Sequence, residues 1–157
     1  MKMSTDTIQS EAYLTVAKAR SDILDSMLAA LSNGKVTEFV ERFADDFKFT
    51  DHALNLEFMD KWRLSEFLTK SRELFPDTVV KVRSTFESED YAIAEWTVTA
   101  TETVTYGSMQ GRFPISFSGV SVAQICDESI VRWTDYYDMA NSRRMGLAAH
   151  FTDWIEL

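Results

Sequence analysis

Apolar residues recur at helical spacing from Ile8 to Leu31, with Ile23, Leu24, Met27, Leu28 and Leu31 on one stripe and Arg20, Asp22 and Asp25 outside it. This is the pattern of an amphipathic helix. Asn33-Gly34 ends it, because glycine readily takes the left-handed conformation that closes a helix. Val36 to Phe43 reads as a second, short helix with Phe39, Val40 and Phe43 turned inward. Phe47 and Phe49 then alternate with Lys48 and Thr50 in a short strand leading to Asp51-His52. Asp60 is placed to cap a third helix from Lys61 to Leu74, burying Trp62, Leu64 or Phe67, Leu68 and Leu74, and Pro76 stops it.

Beyond Pro76 the period changes from 3.6 to 2. Val80, Val82, Ser84 and Phe86 alternate with Lys81, Arg83 and Thr85, and Ser88-Glu89-Asp90 turns the chain back. Tyr91 to Tyr106 forms the next strand, with Trp96, Val98, Ala100 and Val104 on one face and five threonines, Thr97 to Thr105, on the other. Gly107 to Gly111 is a turn, Arg112 to Cys126 a strand, Asp127 to Ser129 a turn and Ile130 to Tyr137 the last strand. Laid straight, the strand from Tyr91 would span about 50 Å, more than the roughly 40 Å expected of a domain this size, so the sheet must bend or bulge. The predicted fold class is α+β: a cone-shaped roll in which a curved antiparallel meander sheet is covered by three N-terminal helices, as one domain over residues 1–157. Its open end is a natural pocket. Leu147, Phe151, Trp154 and Ile155 in the tail, Ala140 to Leu157, read as a helix or arm laid over the domain or a partner chain.

The 157 residues can hide about 70% of their unfolded surface, and 45% of them are hydrophobic, enough for a core. A formal charge of −9 repels phosphate backbones and anionic lipid, and Arg132, Arg143 and Arg144 are too scattered to overcome it. Neither a nucleic acid nor a membrane is therefore an expected partner. One cysteine, Cys126, excludes an intrachain disulfide framework, and no apolar run reaches the roughly 18 residues of a membrane span. The opening MKMSTDTIQSEAY lacks the basic and apolar stretches of a signal peptide, so the cytoplasm is the expected compartment. His52, His150 and Cys126 have no zinc-site spacing, and neither a phosphate-binding glycine loop nor a nucleophile elbow occurs. No metal or cofactor is expected.

The order of helix, Asn33-Gly34, short helix, Ala44-Asp45-Asp46-Phe47, Phe49-Thr50-Asp51, capped helix, Phe75-Pro76-Asp77 and a meander with Glu95-Trp96, ending Trp133-Thr134-Asp135-Tyr136-Tyr137-Asp138, resembles the SnoaL-like polyketide cyclase branch of the nuclear transport factor 2-like superfamily. The resemblance covers nearly the whole chain and implies the cystatin-like cone. Members include polyketide cyclases, ketosteroid isomerases and limonene epoxide hydrolases, beside non-catalytic binders and dimerisation modules. By this resemblance Asp51 takes the place of the isomerases' carboxylate base, while Met27 and Ser121 stand where their oxyanion-binding tyrosine and acid would be. Asp135 takes the place of one acid of the epoxide hydrolases, and Thr103 and Thr105 replace their Arg-x-Asp.

Alternation puts Val131, Trp133, Asp135 and Tyr137 on one face, which sets a carboxylate among aromatics as general acid/base chemistry requires. Asp51 and Asp135 are the leading catalytic candidates, with Glu102, reachable through a bulge, and His52 behind them. Trp62, Trp96, Phe117, Trp133, Tyr137 and Met27 are the candidate pocket walls. A plain structural role is open for each of these residues: a strand end for Asp51 and His52, a hydrogen bond in the core for Asp135, and ordinary core packing for the aromatics. Three readings follow. The first is a cofactor-independent cyclase, isomerase or hydrolase acting on a small apolar or polyketide-like molecule. The second is a binder of such a molecule, and the third is a dimerisation module. A homodimer is expected in all three.

Overall fold

In the computed structural model the described residues are 20–138, with the side chains of Val104 and Tyr106 left aside. The expected helix onset at Ile8, the apolar tail, Arg143, Arg144 and His150 lie outside them. Helix α1 occupies residues 20–32 and buries Ile23, Leu24, Met27 and Leu28 while Asp22 and Asp25 face water. Gly34, at φ 70°, closes it. The amide of Gly34 donates to the carbonyl of Leu31 and that of Lys35 to Ala30, so the last carbonyls of the helix keep partners. Helix α2, Val36–Glu41, follows.

The second helix was expected to reach Phe43, but it stops at Glu41, and Phe43 opens strand β1, Phe43–Asp51. The reason is pairing. Phe43 registers with Ile130, whose amide donates to the carbonyl of Arg42, and its ring packs on Phe39, Phe47, Phe49 and Trp133. A register shift between Phe43 and Lys48 takes up the exposed Asp45-Asp46 segment. Strand β2, Leu56–Phe58, hairpins back on β1. Helix α3, Lys61–Leu74, starts at Asp60, whose side chain accepts the Arg63 amide at 3.0 Å. It buries Leu64 and Phe67, whereas Trp62 and Leu74, expected inside, are exposed at 66% and 39%.

Strands β3, Val79–Ser88, β4, Tyr91–Tyr106, β5, Met109–Cys126, and β6, Ser129–Tyr137, form the antiparallel meander. The β4–β5 turn is two residues, with Gly107 at φ 60°, so β5 begins earlier than Arg112. The six-stranded sheet has the order β2-β1-β6-β5-β4-β3, and its β1–β6 pairing is parallel, a crossover that alternation along single strands does not encode. Bulges interrupt β3 between Val82 and Ser84 and the β5–β6 ladder between Gln124 and Ile125. The second one moves Ile130 inward and leaves the neighbouring Val131 half-buried, which corrects the expected inner set of β6. Helix α1 lies along β3, held by Asp25 to Thr85 and by Ser32 to the amide of Val80. No described helix is long and apolar enough to cross a membrane.

Candidate functional site

Between the helices and the concave face of the sheet lies a cavity of about 200 Å³. Most of its wall is apolar: Leu28 and Leu31 of α1, Phe67 and Leu68 of α3, and the inward residues Trp96 and Phe117 of the long hairpin. Four polar side chains of β1, β5 and β6 interrupt that wall, Asp51, Asp135, Ser121 and Tyr137.

Strand register brings them together. Asp51 ends β1 directly opposite Asp135 of β6, and Asp135 is opposite Ser121 of β5. All three point to the same face because they are partners in adjacent ladders. Tyr137, two residues beyond Asp135, returns to that face, and its hydroxyl donates to Asp51 Oδ2 at 2.7 Å. Asp51 Oδ1 accepts the amide of Leu54 at 2.9 Å, so both of its oxygens have donors. Asp135 differs. Its Oδ1 accepts both the hydroxyl of Ser121, at 2.5 Å, and the indole N–H of Trp133, at 2.7 Å. Ser121 in turn accepts the indole N–H of Trp96 at 2.8 Å. Asp135 Oδ2 has no hydrogen-bond partner among the described residues.

Burial sets the charge of the group. Asp51 is almost inaccessible, and desolvation raises its carboxyl above the ordinary 3.8, opposed by the hydrogen bonds from Leu54 and Tyr137 and by the neighbouring His52. Asp135 is half-buried as a whole residue, but its carboxyl sits among the two indoles, Ser121 and the cavity. Desolvation, helped by the charge of Asp51, pushes it up to about 7 against the pull of Ser121 and Trp133. Burial and the two carboxylates hold the Tyr137 hydroxyl well above its ordinary range, so it stays a donor.

Of the sequence candidates, Asp51 and Asp135 share the cavity, with Trp96, Phe117 and Tyr137 in its wall. Trp133 is fully buried behind the wall and reaches the site only through its indole N–H. Met27 is in the core and Trp62 on the surface, both away from the cavity lining. His52 is exposed on the opposite side of the sheet from Asp51, its ring stacked on Tyr136 at 4.6 Å. Its amide donates to the Asp135 carbonyl at 3.0 Å, and its ring acts on Asp51 only as a neighbouring charge. Glu102 is buried on the inner face of β4, beyond Ala100 and outside the cavity. Sequence reasoning missed Tyr137 as a donor, Ser121 as a link between acid and indole, and Arg72 in the wall. The parity of Tyr137 with Asp135 was a usable signal, whereas the partner strand of Asp51 was not.

The family profile described as the SnoaL-like domain matches residues 24–133 of this chain. The chain belongs to the SnoaL-like domain family. No curated protein gives a significant sequence match to it. Among solved structures this SnoaL-like domain is similar to AclR of Streptomyces galilaeus, a proposed hydroxylase, at TM-score 0.68 and 18% identity over 90% of this chain and 98% of that one. It is also similar to a proposed SnoaL-like polyketide cyclase from Shewanella denitrificans OS-217, at TM-score 0.69 and 12% identity over 78% and 93% of the two chains. A protein with a ketosteroid isomerase-like fold from Catenulispora acidiphila DSM 44928, solved with trimethylamine, matches at TM-score 0.65 and 17% identity over 75% and 86%. At these identities the likeness establishes the fold, a nuclear transport factor 2-like, cystatin-like cone, and leaves the chemistry to the residues of the site.

Proposed function

We propose that this SnoaL-like domain is a cofactor-independent enzyme that binds a small apolar or polyketide-like molecule and carries out carboxylate acid/base chemistry on it: cyclisation, isomerisation or hydration. The observation that carries the reading is the unequal pair of acids in one apolar cavity. Asp51 has both oxygens occupied by donors, which favours its anion, while Asp135 keeps Oδ2 open and titrates near neutrality. Two carboxyls so close titrate as a unit, and when the pair holds a single proton the donors on both oxygens of Asp51 favour that proton on Asp135.

Such a pair moves a proton without an added group. Asp51 takes the proton from a carbon next to a carbonyl, and Asp135, through Oδ2–H, donates to the carbonyl oxygen as negative charge develops there. The enol so formed either attacks a second carbonyl within the folded substrate, which is cyclisation, or, from a β,γ-unsaturated ketone, is a dienol protonated by Asp51 at the γ carbon, which is isomerisation. In either case the enol O–H proton returns to Asp135 as the carbonyl re-forms, the proton on Asp51 passes to the product, at carbon in isomerisation and at the new alkoxide in cyclisation, and the pair is restored. The apolar wall strengthens each of these interactions by excluding water. Structural neighbours described as proposed polyketide cyclases support the substrate class.

The test uses an aryl ketone whose spontaneous exchange is slow. Proton–deuterium exchange at the carbon next to the carbonyl of 1-tetralone in D2O is followed by proton NMR. The wild type accelerates it over buffer, and Asp51→Asn lowers that acceleration by about 10² to 10⁴, the usual worth of a positioned base. A wild-type rate equal to buffer, or full exchange in Asp51→Asn, overturns the reading.

A further inference from the structure

Arg72 is a cation in the cavity wall, and among the described residues no acid holds it there. Its Nη1 donates to two backbone carbonyls, Ser32 after α1 at 3.2 Å and Thr78 before β3 at 2.9 Å. Nε and Nη2 have no partner among the described residues, and no carboxylate there forms an ion pair with it. In a chain of 25 acidic and 16 basic side chains this is a costly arrangement, because a half-buried guanidinium normally gains most from a carboxylate. Gly34 leaves room for it: a Cβ there would lie 3.0 Å from Arg72 Nε. The carbonyls fix the guanidinium, and its remaining donors are unengaged among the described residues.

Arg72 also stands at the other end of the cavity from the acid pair. It clasps Thr78, next to Val79, which is aligned through Thr99 with Ser116. Ser116 is five residues from Ser121, the register partner of Asp135, on the same strand. At about 3.3 Å per residue the two ends are on the order of 15 Å apart along the strand direction. The wall between them is apolar, with Val98, Ala100, Ile115 and Phe117.

We propose that Arg72 is the specificity-determining anchor for an anionic group, a carboxylate in the first instance, at the end of the substrate remote from its reacting carbon. This rests on the reading of the cavity as a substrate site and deepens it: the substrate is an elongated apolar molecule with a negatively charged terminus, laid with that terminus on Arg72 and its ketone on the acid pair. The planar guanidinium offers the carboxylate two donors. The same acid pair repels an anion bound the other way round, which fixes the direction of the substrate in the cone.

The experiment compares octanoate with octan-1-ol, equal in chain length and differing in head-group charge, by titration calorimetry at pH 7.5. The wild type prefers octanoate by about tenfold or more, and Arg72→Gln loses that preference while still binding octan-1-ol, which also reports that the variant is folded. Arg72→Lys keeps the charge and retains part of the preference. Equal affinity of the wild type for both probes, or an undiminished preference in Arg72→Gln, overturns the anchor and leaves the cavity a ligand site. Binding of neither probe to the wild type overturns the anchor together with the reading of the cavity as a substrate site.

Discussion

Asp51 and Asp135 are register partners on parallel strands, yet their carboxyl groups are satisfied in opposite ways: one donor on each oxygen of Asp51, two donors on one oxygen of Asp135. The difference comes from what each strand pairs with next. Asp51 ends β1, so the chain turning away from it supplies the Leu54 amide, and Tyr137 reaches across from β6. Asp135 is mid-strand, flanked by Ser121 on β5 and by the indole two residues earlier on its own strand. Equal side chains thereby acquire unequal proton affinity, which is what separates an acid from a base in one cavity.

That inequality makes stability depend on pH. In the folded chain Asp135 holds its proton to about 7, whereas unfolded it releases it near 3.8. At this carboxyl the folded state therefore binds more protons between those values, so the contribution of Asp135 to stability is full below about pH 4 and is lost as pH rises to 7. Asp51, also raised, acts in the same direction. Asp135→Asn keeps an oxygen for Ser121 and Trp133 and places a neutral amide where Oδ2–H would be. Its stability relative to wild type should rise with pH across this window and level off above it, by up to a few kcal/mol at roughly 1.4 kcal/mol per pH unit. Urea unfolding between pH 4.5 and 8 measures this, and a difference that does not change with pH refutes it.

Tyr137→Phe isolates the other acid. The ring keeps its stacking on Phe117 at 5.0 Å and its contact with Trp96, so the change is confined to the hydroxyl. Loss of that donor moves the Asp51 carboxyl further upward, since the hydrogen bond from Tyr137 is one of the effects holding it down. The expected stability loss at pH 7 is about 1.5 to 3 kcal/mol, the range for a hydrogen bond to a charged group. Carboxyl ¹³C titration of Asp51 should show the midpoint rising. An unmoved midpoint would mean that Tyr137 does not govern this acid.

Why these groups meet was only partly legible in the residues. The fold class, the three helices and the meander follow from periodicity and turn chemistry, because each depends on neighbours close in sequence. The inner parity of Trp133, Asp135 and Tyr137 was legible for the same reason. The parallel β1–β6 ladder joins residues 84 positions apart, Asp51 with Asp135, and no local pattern specifies such a register. Trp62 shows the reverse difficulty: it sits in the first turn of a capped helix, where an apolar residue satisfies either face, and the packing of Leu64 and Phe67 turns it out to water. Arg72 was invisible because its role is set by carbonyls forty residues before and six after it, Ser32 and Thr78.

Ala100 offers a way to separate cavity from core. It is buried, lines the hollow and pairs with Ile115, so a larger apolar side chain there grows into empty space. Ala100→Leu should stabilise the fold by about 0.5 to 2 kcal/mol, as cavity filling commonly does, and abolish octanoate binding. Thermal unfolding and calorimetry on the same sample check both arms. A destabilised variant would mean that the space is already occupied by packed side chains.

Gly119 provides the strictest geometric test, because it lies beneath the site without belonging to it. It registers with Trp96 on one side and Tyr137 on the other, and an added Cβ would come within 2.5 Å of the Trp96 ring, 2.6 Å of the Tyr136 carbonyl oxygen and 2.7 Å of the Tyr137 Cβ. Two of those neighbours are fixed close to the backbone of β6, so the strands must part. Gly119→Ala should therefore cost about 1 to 3 kcal/mol, as overpacking does, and draw the Tyr137 hydroxyl away from Asp51, raising the Asp51 midpoint as Tyr137→Phe does. Gly107→Ala is the matching comparison: its φ of 60° makes alanine strained, but no atom lies within 4 Å of the new Cβ. It should lose a comparable 1 to 2 kcal/mol, the cost of a left-handed non-glycine residue, and leave the Asp51 titration where it was. If both variants shift that titration equally, the coupling runs through global stability; if only Gly119→Ala does, the close approach of β5 to β6 is what holds the tyrosine on the acid.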